Sequence, residues 1–263
     1  PVYSVSSIFR PDQVFFKWYG YQYGRVLKCF THFFVQNEVS RELLAKIGIT
    51  NTTVVGDTRF DRVLQIKDAA KQLPIVEAFT HDAKVFVAGS SWQPDEEIFI
   101  KYFNEHKDWK LIIAPHVIGE DHLQQIEKLL EGRKVIRYTE AEKQFKVSDV
   151  LIIDCFGLLS SIYHYGDVAY VGGGFGVGIH NVPEAAVYGI PVLFGPNNEK
   201  FREAQALKAC GGSFEYQDDA SFAALMDNFI NNPEDLQKAG EAAGSYINAN
   251  AGAADKCFNA IFK

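Results

Sequence analysis

Five glycines crowd into positions 172–178, directly behind the apolar run Val168–Val171. Nothing else in the chain limits its folding as much. Asp167-Val168-Ala169-Tyr170-Val171 reads as a buried strand, and a second apolar run, Pro191–Phe194, follows Gly189. Between them Pro183 suits the first turn of a helix, which Glu184-Ala185-Ala186 continues. Strand, glycine loop, helix start and strand form an anion cradle. Free backbone N–H groups and the positive helix end are expected to face a ligand that glycine lets approach. His180, Asn181 and Glu184 stand where that helix begins. A carboxylate there suits sugar hydroxyls better than phosphate, so the pattern points to a nucleotide-sugar. A plain tight turn is the competing reading of the loop. No G-x-G-x-x-G opens the helix and no G-x-x-x-x-G-K-[ST] occurs, so dinucleotide and P-loop readings lack support.

Short apolar runs and helical patterns alternate along the whole chain. Strands are expected at Val2–Ser6, His32–Gln36, Thr53–Val55, Lys84–Ala88, Lys110–Ala114, Lys134–Ile136, Val150–Ile153, Val168–Val171 and Pro191–Phe194. In Pro94–His106 the residues Ile98, Phe99, Tyr102 and Phe103 share one helical face, behind the acidic first turn Asp95-Glu96-Glu97. Gly119–Leu130 repeats the pattern with Leu123, Ile126 and Leu130, and the tail from Asp219 reads as helical, with a fresh start at Asn232-Pro233-Glu234. Such alternation means an α/β fold, a parallel sheet with helices on both faces. Ligands of such sheets bind beyond the carboxyl ends of the strands. Four polar clusters obey that rule: Ser90-Ser91, Pro115-His116, Cys155-Phe156-Gly157 and the glycine loop with Gly173 and Gly174. A boundary is expected near Gly56–Asp61. Residues 1–58 hold too few strands for a complete doubly wound domain, whereas 59–263 hold enough.

The net charge of −7 argues against a nucleic-acid binder, because phosphate contacts need clustered Lys and Arg. Cys29, Cys155, Cys210 and Cys257 lie far apart without metal-ligand spacing, so reduced thiols are expected and no metal or cofactor is. No run of about 18 apolar residues occurs, and the start lacks the pattern of a signal peptide. The aromatic segment Val14–Tyr19 suits core or interface packing, with contact to a membrane surface as the other reading.

In these residues the chain resembles the C-terminal half of bacterial 3-deoxy-D-manno-octulosonic acid (Kdo) transferases, most closely the Bacteroides-type form. The resemblance runs from about Pro1 to Gly212 and is strongest at Val171–Phe201, with the glycine loop, His-Asn-x-x-Glu and Gly-x-Pro-Val-Leu-x-Gly-Pro. Gln36, Gly56–Asp61, Ala88-Gly89-Ser90-Ser91 and Ala114-Pro115-His116 extend it. It implies a GT-B fold of two Rossmann-like domains. Residues 1–58 would close the N-terminal acceptor domain, and 59–263 would form the donor-binding domain with terminal helices. It further implies a metal-independent, inverting transfer of Kdo from CMP-Kdo to a lipid A precursor in lipopolysaccharide synthesis, at the cytoplasmic face of the inner membrane. Pro115, His116, Cys155, Phe156, Gly157, Asn181, Val182, Pro183 and Glu184 would contact CMP. Glu184 would accept from ribose hydroxyls, or would serve only the helix N-terminus. His180 would meet phosphate or the Kdo carboxylate, or be structural. Ser90 and Ser91 would line the phosphate side or cap the next helix. Arg59 would neutralise the donor, or be a solvated surface residue.

Two departures matter. Many members carry arginine after the proline at Pro115, where this chain has His116, which makes phosphate binding there weaker or pH-dependent. The family's glutamate base matches no position here and is expected before Pro1, with the acceptor site and membrane anchor, so the chain alone is expected to bind donor without turnover. The rival readings are a GT-B enzyme using a uridine nucleotide-sugar, such as an N-acetylglucosaminyl transferase or epimerase, and a non-catalytic nucleotide-sugar-binding module.

Overall fold

The computed structural model describes residues 1–141 and 147–263. The chain divides into two compact units, Pro1–Gln65 with Asn248–Lys263, and Ile66–Ile247.

The first unit holds a three-stranded parallel sheet of β1 (Tyr3–Ser7), β2 (His32–Val35) and β3 (Thr52–Val54), in that spatial order. Between β1 and β2 come two 3-10 turns, Val14–Phe16 and Trp18–Gly20, and α1 (Tyr21–Leu27). Helix α2 (Glu38–Lys46) starts at Asn37, whose side chain accepts from Ser40 N, a regular N-cap. Phe9, Leu27, Phe33, Val35, Leu43, Leu44 and Ile49 form one apolar cluster. A second joins Phe34 and Val55 to Ala253 and Cys257 of the last helix. Asp61 fixes that helix by accepting from Gly252 N at 2.6 Å and Ala254 N at 3.1 Å. Asp61 itself lies in α3 (Thr58–Asp68), which spans the end of this unit.

In chain order the second unit continues with α4 (Pro74–Thr80), β4 (Lys84–Ser91), α5 (Gln93–Glu105), β5 (Trp109–Pro115), α6 (Glu120–Leu129), β6 (Val135–Arg137), β7 (Val150–Ile152), α7 (Leu159–Ile162), β8 (Val168–Val171), α8 (Val182–Ala186), β9 (Val192–Phe194), α9 (Arg202–Ala209), β10 (Ser213–Glu215), α10 (Asp219–Asn231) and α11 (Pro233–Asn250). The last helix of the chain, α12 (Ala253–Phe262), belongs to the first unit. Seven parallel strands lie in the order β10-β9-β8-β4-β5-β7-β6. Burial explains the sequence of the central strands. From Val85 to Gly89, β4 is buried without interruption, and so are all four residues of β8, as strands covered on both faces require. Phe86, Phe99, Phe103, Tyr170, Tyr216 and Phe222 lead the core on one face. Chain order reverses around β4: β5 lies on one side, and β8 is reached only after β6 and β7. The carboxyl ends of β4, β5 and β8 therefore form a topological switch point.

The α/β class expected from the alternation is the one found. Strands and helices lie within a few residues of their expected bounds. No sequence pattern signals β10, in which Phe214 is flanked by Ser213 and Glu215. Its pairing with β9 comes from the sheet, not from its own pattern. Among the described residues no helix is long and apolar enough to cross a membrane.

Candidate functional site

The end of β4 bends sharply. Ser90 is left-handed at φ 53°, and the pairing with β5 shifts register between Gly89 and Ser91. The carbonyl of Ser90 lies so near Gly172 that a Cβ there would sit 2.1 Å from the oxygen. Gly172 N donates to Gly89 O at 2.9 Å, which clamps the loop after β8 to the end of β4. The next residue, Gly173, has φ +95°, and a Cβ there would meet Gly178 O at 2.4 Å. Glycine is thus dictated by close approach and by backbone handedness.

Several of the loop's N–H groups are already engaged within the chain. Gly176 and Gly178 donate to Gly173 O, His180 donates to Gly172 O, and Gly173 donates to the Asp95 carboxylate at 3.1 Å. Through these bonds the loop is held to itself and to α5. Asp95 is fully buried and also accepts from Tyr170 Oη at 2.6 Å and Trp92 N at 2.8 Å. Burial raises its pKa above 3.8, against the three hydrogen bonds that favour the anion. Beside it Glu96 is 1% exposed and accepts from Ser91 Oγ at 2.8 Å; its other oxygen lies 2.8 Å from His122 Nε2. His122 Nδ1 meets Val117 O at 2.8 Å, a bond in which only the ring can donate. One proton must then sit between His122 Nε2 and Glu96. Burial raises the pKa of Glu96 as well.

Above these carboxylates three rings meet. The His116 ring stacks with Trp92 at 4.5 Å and 25°, and with His180 at 4.5 Å and 26°. Trp92 Nε1 lies 3.4 Å from His180 Nε2. Indole N–H can only donate, so Nε2 of His180 accepts and its ring proton sits on Nδ1. Burial, then the neighbouring His116, lowers the pKa of His180 below 6.5, and Asp95 opposes the shift. Trp92 and Asp95 also line a cavity of about 250 Å3 with Pro94, Gly173, Phe175, Gly176 and Val177. A cavity of about 310 Å3 lies elsewhere, beside Cys210, Phe214 and Phe229, where Asp235 and Lys238 approach each other at 3.9 Å. No stacked rings or buried carboxylates stand there.

At the start of α8, Asn181 Nδ2 donates to Glu184 Oε1 at 2.7 Å. Glu184 is partly buried, while Val182 and Pro183 are buried beneath it. Its negative charge adds to burial in raising the pKa of Tyr163 and Tyr188. Pro115 is buried at the end of β5, and His116 N donates to Ser91 O at 2.9 Å, which joins two strand ends.

The remaining expected site residues differ in exposure. Ser91 is fully buried against Glu96 and neither caps α5 nor lines an open face; the N-cap is Trp92. Gly174 is buried too. At the end of β7, Cys155 is half-buried and its thiol pKa is raised by burial and then by Asp154, while Phe156 is 78% exposed. Gly157 has φ +83° with open space where a side chain would stand. Arg59, in the first unit, is held by Asp57 at 2.7 Å. Sequence reasoning misses Trp92 and Asp95 as site residues. Their signal is present, since both stand directly behind Ser90-Ser91, but the helix dipole alone suffices to account for an acidic residue at Asp95. Among the described residues no group of three or more His, Cys, Asp or Glu is placed to hold a metal.

The second unit has the C-terminal Rossmann-like fold of GT-B glycosyltransferases, with its candidate site at the switch point. Among solved structures the chain resembles the C-terminal CMP-Kdo binding domain of WaaA from Acinetobacter baumannii, with a TM-score of 0.57 and 17% identity over 71% of this chain and 96% of that one. No family model matches. Over about two thirds of its length the chain is related to bacterial Kdo transferases. It is 29% identical to the 3-deoxy-D-manno-octulosonic acid transferase of Aquifex aeolicus over 61% of this chain, and 22% identical to that of Rickettsia bellii over 90%. A bifunctional glycosyltransferase/methyltransferase of Fusobacterium nucleatum is 30% identical over 65% of this chain. The chain spans only 28%, 47% and 58% of the Fusobacterium, Aquifex and Rickettsia proteins, respectively.

Proposed function

We infer that this chain is the donor-holding part of a glycosyltransferase that moves Kdo from CMP-Kdo to a lipid A precursor, at the cytoplasmic face of the inner membrane. The observation that carries this is the rim itself. A ring stack, a hydrogen-bonded Asn181–Glu184 pair and a buried carboxylate that ties down the glycine loop meet at adjacent strand ends, in a chain related to Kdo transferases. Residues 1–58, with the last helix packed on their sheet, act as the last part of an acceptor domain, and the second unit acts on the donor.

Each group has a task in this reading. Glu184, with one oxygen oriented by Asn181, presents the other to the ribose hydroxyls. His116 and His180 meet the phosphate or the Kdo carboxylate, and an anion there favours a charged imidazole. Cys155, Phe156 and Gly157 wall the nucleotide, with Cys155 as a neutral thiol. Arg59 contributes at most through the exposed part of a guanidinium already paired with Asp57. The acceptor hydroxyl attacks the anomeric carbon, its proton passes to a base, and CMP leaves as a phosphate monoester. Asp95 and Glu96 are buried and engaged and Glu184 is tied to Asn181, so none is the base in this reading. The base comes from outside this sequence, and the chain alone binds donor without turning it over.

Calorimetric titration with CMP and UMP tests this. CMP should bind in preference to UMP; equal affinity, preference for the uridine nucleotide, or no binding to either would overturn the donor assignment. Kdo transfer by the purified chain would overturn the placement of the base.

A further inference from the structure

We propose that the first unit carries a docking patch for an anionic lipid surface, built on α1 and the two turns before it. The proposal is independent of the donor-site reading. The inward side of this segment is already used: Gly24 and Leu27 are buried, and Phe15 and Phe16 pack on the cluster of Phe9 and Phe33. The other side is exposed, with no cover among the described residues. Trp18 is 92% exposed, Tyr19 61%, Tyr21 67%, Tyr23 59% and Val26 61%. Scattered exposed apolar residues are ordinary, but a run of large ones on one short segment marks an interaction surface.

Charge identifies the occupant. From Gln13 to Asn37 there is no Asp or Glu, while Lys17, Arg25 and Lys28 are present, in a chain of net charge −7. Arg25 and Lys28 are exposed, and none of the three forms an ion pair among the described residues. The flanking charges, Arg10 and Asp12, balance each other. Tyrosine and tryptophan rings settle at the headgroup level of a bilayer, and neighbouring cations meet anionic headgroups. A second copy fits less well, because it would set the same three cations against themselves, and protein interfaces are depleted in lysine.

Flotation with phosphatidylcholine vesicles, with and without phosphatidylglycerol, tests the patch on the 263-residue chain. The chain should float with the anionic vesicles, remain behind with the zwitterionic ones, and be released by salt. Lys17→Gln, Arg25→Gln and Lys28→Gln together should lower the partition coefficient roughly 100-fold, at about fivefold per cation. Trp18→Ser with Tyr21→Ser and Tyr23→Ser should abolish binding, and thermal unfolding should show both variants folded, since every altered aromatic is exposed. Binding blind to headgroup charge, binding unchanged in the variants, or no binding would overturn the proposal. So would a dimer that Trp18→Ser dissolves, which would make the patch a protein interface.

Discussion

Asp95 should hold the glycine loop in place, and replacing it separates its shape from its charge. Its two oxygens receive three hydrogen bonds, from Tyr170 Oη, Trp92 N and Gly173 N. Asp95→Leu keeps the branched outline, in a somewhat larger side chain, but strands all three donors in a fully buried place. At about 1–3 kcal/mol for each unsatisfied buried group, and less than additively, the loss should reach about 3–6 kcal/mol. Asp95→Asn keeps an acceptor for the two backbone N–H groups and removes a buried charge, so its effect at neutral pH should stay within about 1–2 kcal/mol. The pH dependence supplies the sharper test. An acid whose folded pKa lies above 3.8 binds more protons folded than unfolded, so wild type loses stability as pH rises from 3.8 through the folded value. Asp95→Asn lacks that titration. Its stability relative to wild type should therefore improve as pH climbs through the same window. Urea unfolding of the three proteins across mildly acidic to neutral pH reads both effects. A loss below about 1 kcal/mol in Asp95→Leu would refute the clamp, and parallel curves for wild type and Asp95→Asn would refute the strained carboxylate.

Glu184→Gln should weaken CMP binding by about 1–3 kcal/mol and harm 2′-deoxy-CMP less; a wild type blind to the ribose 2′-hydroxyl by calorimetry would remove the ribose role. His180, its pKa held below 6.5, binds fewer protons folded than unfolded, so the ligand-free chain should lose stability as pH falls below 6.5, and His180→Gln should lose less. Because a bound anion favours the imidazolium, the ratio of wild-type to His180→Gln affinity for CMP should rise as pH falls below 6.5, and a flat ratio in titration would place the anion elsewhere. Ser90→Gly should raise stability by about 0.5–1 kcal/mol by relieving a left-handed residue, and Gly172→Ala should cost about 3 kcal/mol or more, both by chemical unfolding; equal stability of Gly172→Ala and wild type would deny the close approach to Ser90.

The central sheet was legible because parallel strands covered on both faces are continuous apolar runs, as Val85–Ala88 and Val168–Val171 are. The rim was legible as a set of strand ends, since chain order places Ser91, His116 and Gly172 behind three apolar runs. What each group does there was not. Ser91 and Asp95 carry polar side chains whose direction depends on the bend at Ser90, and no periodicity encodes a single left-handed residue. Trp92 reads as one aromatic residue near a helix start, because its partners His116 and His180 lie 24 and 88 positions away. Nor does any pattern in Ala253–Phe262 tell which sheet its apolar side will meet.

That last helix gives the chain an order of assembly. Asp61 and Gly252 are hydrogen-bonded across 191 positions, and Phe34 and Val55 share a core with Ala253 and Cys257. During synthesis at about 5–20 residues per second, roughly ten to forty seconds separate the emergence of the small sheet from that of the helix that covers it. Throughout that interval Phe34 and Val55 lack their final cover, while every residue from Ile66 to Ile247 is made and free to fold. Of the two units, the small one is thus begun before the larger and completed after it.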